Sequence, residues 1–316
     1  MNSSKILVTG ATGVVGRRLV PILLQNGHRV VVLARPSERR QGLERAGAAA
    51  VDADLFDLPS LRRAAEGCDV VVNLATHMPT SSTQMTHLAA WKENDRVRKE
   101  GSSNLVDAAL AEGVGRFIQE SFAPVYPDSG DRWIHEETPL EPVRYNRTVL
   151  DAERSAERFT KSGGTGVILR FGGFYGRDSR FDIEGIGQVR RGRAFLPGAA
   201  DAFASSVSHD DAATAAAAAL AIPAGAYNVV DDEPVTRREY FDSLARALGV
   251  PPPKLLPFWV KWMLGSLGEC LSRSLRISNA KLRGVSSWAP KYPSVREGWP
   301  AVIAAMPRDV TGLVAA

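Results

Sequence analysis

Short apolar runs separated by amphipathic stretches recur along the chain up to about residue 230. Ile6 to Val8, Arg29 to Leu33, Ala48 to Val51 and Asp69 to Leu74 have the length and composition of strands. Between them, Val14 to Gln25 and Pro59 to Glu66 carry apolar residues at helical spacing, and Gly27 stops the first of these. The alternation continues with a long helix from Asn94 to Ala111, a strand over Arg116 to Gln119, a helix from near Tyr145 to Gly163, and a strand over Val167 to Arg170. Ser205 to His209 and Gly225 to Val230 read as returning strands around the alanine-rich helix Ala212 to Ala219. Repeated strand–helix alternation predicts an α/β fold, a doubly wound parallel sheet with right-handed crossovers and helices on both faces.

Two stretches leave this pattern. Ser179 to Pro197 is polar, rich in arginine and punctuated by glycine. After residue 230, Thr236 caps a helix ending at Leu248-Gly249, three prolines form a stiff spacer, and a Trp-rich segment runs from Leu255 to Leu275. The expected organisation is a dinucleotide-binding domain over residues 1–170, with 206–230 returning to it. Residues 171–205 and 231–316 then make a smaller C-terminal α/β substrate-binding domain. For the Trp-rich segment, burial in the small domain competes with a helix over the substrate cleft, a homodimer face or a peripheral membrane contact. It is too short and too charged to span a membrane.

The turn after the first strand concentrates the chemistry. Gly10, Gly13 and Gly16 follow Lys5-Ile6-Leu7-Val8-Thr9 and open a helix. Gly10 permits the tight turn, Gly13 lets backbone approach a ligand, and Gly16 lets the helix pack on the sheet. Free N–H groups and the positive end of the helix dipole then face whatever lies over the turn, a site suited to pyrophosphate. A dinucleotide site of this kind usually has an acid at the end of the second strand to hold the adenosine ribose, but here Ala34 and Arg35 stand there. Guanidinium groups at Arg35, Arg39 and Arg40 suit a 2′-phosphate, which favours NADP, with NAD as the alternative. At least one of Arg39 and Arg40 is expected to be a solvated helix face.

Composition narrows the class. The 316 residues carry a formal charge of +4, with Lys and Arg scattered and often paired with acids, so no nucleic-acid footprint emerges. Cys68 and Cys270 are far apart with no metal-ligand spacing, and no metal is expected. The N-terminus runs straight into a strand without an apolar signal region, so a cytoplasmic location is expected.

Thr9-Gly10-Ala11-Thr12-Gly13-Val14-Val15-Gly16, Asp54-Leu55-Phe56-Asp57, Asn73-Leu74-Ala75, Val125-Tyr126, Glu136 to Leu140, Tyr145 with Ala152-Glu153, Leu169-Arg170 with Tyr175-Gly176, and His209 to Ala212 jointly complete a pattern. It resembles the extended short-chain dehydrogenases/reductases of the NAD-dependent epimerase/dehydratase family over most of the chain, with a Rossmann-type sheet. The resemblance implies that Gly10, Thr12, Gly13, Val14, Val15 and Gly16 hold the pyrophosphate. It also implies that Asp54 and Leu55 flank the adenine and that Leu74, Ala75 and Thr76 line the path to the nicotinamide.

The resemblance fails where the family does its chemistry. The lysine four residues after the catalytic tyrosine is Val149, the usual serine or threonine is Phe122 with Ser121 beside it, an asparagine of the long helix is Arg98, and the proline after Leu-Arg is Phe171. Tyr145 alone remains, with Ser121 as its candidate helper. A lysine beside the phenol would hold the cofactor ribose and lower the tyrosine pKa, and valine does neither. Thr148 is a candidate for the ribose hydrogen bond. Reduction of a carbonyl needs only an acid and tolerates this loss better than oxidation or epimerisation. The leading expectation is an NADP(H)-dependent reductase of a small, partly apolar carbonyl substrate. The alternatives are an isomerase, epimerase or lyase, including one acting on sugar nucleotides, and a cofactor-binding sensor without turnover. His77, at the crevice, is a loop residue or a further candidate.

Overall fold

The computed structural model describes residues 3–79, 81–257 and 259–306. Phe258 of the Trp-rich segment and the last residues of the expected second domain lie outside the described residues.

Seven strands form one sheet: β1 (Lys5–Thr9), β2 (Arg29–Leu33), β3 (Ala49–Val51), β4 (Val70–Asn73), β5 (Arg116–Phe122), β6 (Thr165–Phe171) and β7 (Gly225–Val229). Their order is β7-β6-β5-β4-β1-β2-β3, and every neighbouring pair is parallel. The expected Rossmann-type architecture is therefore present. The order reverses at β1, which pairs with β2 on one side and β4 on the other, so a crevice opens at the carboxyl ends of β1 and β4.

The period of two in each strand sorts the core into two layers. Ile6 and Val8 pack with Val72, Ile118 and Leu169 under α1 (Gly16–Gln25) and the helix His209–Ala218. Leu7, Val71 and Phe117 face the other way, against Leu58–Ala65, Ser102–Ala111 and Val149–Lys161. The alanine run is scaffold, because Ala212, Ala213, Ala215 and Ala216 are fully buried and let their helix pack closely.

Arg180–Arg190, Arg237–Leu248 and Val295–Ala304 build a smaller core around Tyr175, Phe241 and Trp299. Thr236 and Glu239 form a reciprocal capping box at the start of the second helix, and Gly249 ends it with φ +68°. The chain after 231 is not confined to this unit. Leu282 and Trp288 join the main core, and Trp288 Nε1 donates to the Asp211 carbonyl at 3.2 Å. Among the described residues no helix is long and apolar enough to cross a membrane.

Three local departures bear on the site. β5 runs on to Phe122 instead of ending at Gln119, because its pairing with β6 continues to Phe122 opposite Phe171. The helix expected from Tyr145 begins at Val149, so Tyr145 lies in the preceding turn. Asn146 holds that turn: its Oδ1 accepts from the Val143 N–H at 2.9 Å and its Nδ2 donates to the Pro124 carbonyl at 3.0 Å. The long helix before β5 contains a π-helical turn over Val97–Gly101, between Lys92–Arg96 and Ser102–Ala111.

Candidate active site

Construction of the crevice begins with the glycine turn. Gly10 has φ +65°, and a Cβ there would meet the Leu74 carbonyl oxygen at 2.2 Å. A Cβ on Gly16 would lie 2.3 Å from the Gly10 oxygen. Both positions are closed by backbone, so only glycine fits. Gly13 is exposed, and a Cβ there would crowd the Gly10 carbonyl oxygen at 3.1 Å. The N-terminus of α1 has no side-chain cap, which leaves its amides and dipole available to an anion. Thr9 Oγ1 donates to Asn73 Oδ1 at 2.6 Å, and Asn73 Nδ2 donates to Gln119 Oε1 at 2.8 Å. This buried ladder fixes the strand ends beneath Leu74, Ala75 and Thr76.

At the end of β2, Ala34, Arg35, Ala53, Asp54 and Ser60 line an open cleft of about 290 Å³. The three arginines take different surroundings. Arg40 is committed to Asp52, to Glu44 at 3.3 Å and to the Ala34 carbonyl at 3.0 Å. Arg39 instead reaches the glycine turn, Nη1 donating to the Thr12 carbonyl at 3.4 Å, while Arg35 is exposed at the cleft. The Leu55 carbonyl accepts from Asn104 Nδ2 at 3.0 Å, which pins the Asp54-Leu55 loop over the start of the Ser102–Ala111 helix.

Tyr145 is buried and stands edge-on to Trp91, with ring centroids 4.7 Å apart. Leu267 and Cys270 of the helix Gly265–Ser272 pack on it, with Phe122, Met85 and Leu271 around them. The inner half of the Trp-rich segment therefore covers the tyrosine, whereas Trp259, Trp262 and Met263 are exposed. Burial raises the Tyr145 pKa, Cys270 adds to the rise, and the positive charge of Arg98 opposes it. The phenol thus keeps its proton throughout the neutral range. Val149 is fully buried.

Ser121 and Thr148 are both already engaged. Ser121 Oγ donates to Glu153 Oε1 at 2.5 Å, inside a buried network. Arg170 grips the same carboxylate through Nε at 2.9 Å and Nη2 at 2.8 Å, and its Nη1 donates to the Tyr126 hydroxyl at 2.8 Å. That hydroxyl donates in turn to Asn228 Oδ1 at 2.8 Å, so the network ties the Val149–Lys161 helix to β5, β6 and β7. Thr148 Oγ1 donates to Asp95 Oδ1 at 2.7 Å and keeps only acceptor capacity. His77 is exposed, and its backbone N–H donates to Asn94 Oδ1 at 2.9 Å.

The model of the NAD dependent epimerase/dehydratase family matches residues 6–229, spanning the glycine turn, the crevice and the whole sheet. The chain belongs to the NAD-dependent epimerase/dehydratase family. Within that family it is similar to a 3-diazoavenalumate denitrifying reductase from a Streptomyces species, 32% identical over 93% of this chain and 98% of that one. It is also similar to a 2-alkyl-3-oxoalkanoate reductase from Shewanella oneidensis, 25% identical over 86% of this chain and 73% of the relative. Among solved structures, the human epimerase family protein SDR39U1 with NADPH superposes with a TM-score of 0.80, at 19% identity, covering 96% of this chain and all of the other.

Two features of this family member were not visible as site residues in the sequence. Glu153 and Arg170 belong to the quoted family pattern, but nothing along the chain marks them as a buried bidentate pair. Arg98, which stands where the family pattern has asparagine, projects from the π-helical turn to a largely buried position with Nε 3.5 Å from Glu120 Oε1. The substitution was legible, but its neighbourhood was not.

Proposed function

We propose that this chain is an NADP(H)-dependent reductase of a carbonyl in a small, partly apolar substrate, with Tyr145 as the hydrogen-bond donor to the carbonyl oxygen. The observation that carries the reading is the tyrosine without a base: valine fills position 149, and the Ser121 hydroxyl is spent on Glu153. A protonated phenol is a poor proton acceptor, yet it polarises a carbonyl and protonates an alkoxide, which is all that reduction asks of the protein.

The residues present fit a nicotinamide dinucleotide. The turn where Cβ atoms would strike backbone, together with the uncapped helix behind it, is suited to the pyrophosphate. Arg35 and Arg39 suit a 2′-phosphate, Asp54 and Leu55 the adenine, and Leu74, Ala75 and Thr76 the approach to the nicotinamide. Thr148, bonded to Asp95, presents an oxygen that accepts a ribose hydroxyl. The bound cofactor supplies hydride to the substrate carbon. Trp91, Phe122, Leu267 and Leu271 enclose the tyrosine with apolar surface, which suits an organic acceptor more than a sugar.

A second acceptor class is favoured by the Streptomyces relative, whose name states reductive loss of nitrogen from a diazo compound. On a cationic diazonium, hydride would join the carbon while the carbon–nitrogen bond breaks and its electron pair leaves with dinitrogen, so that form consumes no proton from the protein, whereas a neutral diazo carbon would take one. The test follows NADPH loss at 340 nm with aryl ketones, aldehydes and an arenediazonium salt, for the wild type and Tyr145→Phe. Carbonyl turnover is expected to fall about 10²- to 10⁴-fold in the variant, while diazo turnover persists. Product formation without net NADPH loss refutes reduction in favour of an isomerase or lyase. Tight NADPH binding with no product from any acceptor refutes turnover and leaves a sensor.

A further inference from the structure

Buried polar groups are normally hydrogen-bonded, so those that are not mark places where another molecule completes the set. On the helix that carries Trp91, and on Glu120 against it, three such atoms occur: Arg98 Nε, Asn94 Nδ2 and Glu120 Oε1 have no hydrogen-bond partner among the described residues. Asn94 is fully buried and Arg98 is 7% exposed. They lie four residues apart, one helical turn along the same face. The contact between Arg98 and Glu120, at 3.5 Å, is an ion pair too long for a good hydrogen bond, and among the described residues the rest of the guanidinium fork has no hydrogen bond.

This face is docked onto the tyrosine at two points. Trp91 packs on the Tyr145 ring, and Asp95 accepts from Thr148 three residues beyond it. Arg98 follows Trp91 by seven residues and Asp95 by three, a helical spacing that sets it on this same face, and its positive charge opposes the rise of the Tyr145 pKa. Burial holds the Glu120 carboxyl above its ordinary value, and the charge of Arg98 pulls it back down. The π-helical turn at Val97–Gly101 is what carries Arg98 here, and such turns often reposition a side chain at a functional site.

We propose that Arg98, with the Asn94 amide one turn away, binds a negatively charged oxygen of the acceptor, supplying the cation that Val149 does not. This inference rests on the reading that the acceptor sits against Tyr145. In reduction the new C–H bond forms at the carbonyl carbon and the π pair moves to oxygen. Arg98 holds that oxygen while Tyr145 delivers its proton. A carboxylate or phenolate on the substrate meets the same donors.

The test is calorimetric binding of trans-cinnamate to the full chain, with and without NADP, using cinnamyl alcohol as the uncharged control. Arg98→Gln is expected to weaken cinnamate about 10- to 100-fold and Arg98→Lys less, with the alcohol unchanged. Glu120→Gln removes the opposing charge and is expected to tighten cinnamate. Equal weakening by Arg98→Gln and Glu120→Gln, as for a pair that only braces the fold, overturns the proposal, and so does failure of the wild type to bind cinnamate. Should Arg98→Gln fail to fold, Glu120→Gln decides alone: tightening supports the proposal and weakening refutes it. Cinnamate binding in the expected pattern with no acceptor reduced sinks the reductase reading and leaves Arg98 as an anion site. Acceptors reduced equally well by wild type and Arg98→Gln do the reverse.

Discussion

Replacing Ser121 with alanine separates a brace from a catalyst. The hydroxyl is 1% exposed and donates to a carboxylate, a type of bond worth about 1.5–3 kcal/mol. Glu153 keeps both bonds from Arg170 after the substitution, at 2.9 and 2.8 Å, so the carboxylate is not orphaned and the loss falls at the lower end. Removing one oxygen leaves little space for neighbours to fill. A destabilisation of about 1–2 kcal/mol is therefore expected, read as a shift of the urea unfolding midpoint at constant m-value. With a reducible acceptor in hand, kcat and kcat/KM of Ser121→Ala should stay within about twofold of the wild type, because removing a general acid or its helper costs at least about 10² in rate. A hundredfold fall in kcat with an unchanged unfolding midpoint refutes this reasoning and returns Ser121 to the reacting atoms.

Two further outcomes are expected. Arg35→Ala and Arg39→Ala should each raise the KM for NADPH about tenfold or more, from loss of a charge-assisted hydrogen bond, and leave NADH unaffected; equal effects on both cofactors would place these arginines away from the 2′-phosphate. Asp182, 2% exposed and 3.5 Å from His209 Nε2, has its pKa raised by burial to about 8. A raised carboxyl pKa gives stability that is full below the unfolded value and declines as pH rises toward the folded one. Burial lowers the His209 pKa, so that residue is already neutral above its ordinary value and leaves the window from pH 6.5 to 8 to Asp182. Across that window the wild type should lose roughly 1.4 kcal/mol per pH unit at most relative to Asp182→Asn. Parallel thermal-midpoint curves for the two proteins would show that Asp182 is ionised in the fold.

The sequence by itself determined the sheet and its crevice. Periods of two and of 3.6 residues, with glycine where backbone closes on backbone at Gly10 and Gly16, are local properties that one stretch of chain carries alone. The division of labour between Arg39 and Arg40 was legible as a choice but not as an answer, because Asp52, which claims Arg40, sits on another element. Tertiary structure decided the surroundings of the candidate residues. Tyr145 moved off its helix because Asn146 found partners at Val143 and Pro124. Ser121 became part of a brace because Glu153 and Arg170, from the helix and strand that follow it in the chain, pair beneath it. Arg98 reads in the sequence as a lost asparagine, whereas the structure sets it on the π-helical turn, largely buried against Glu120, on the helix whose Trp91 packs on Tyr145. Burial and pairing are set by what the fold brings together, and no spacing along the chain encodes them directly.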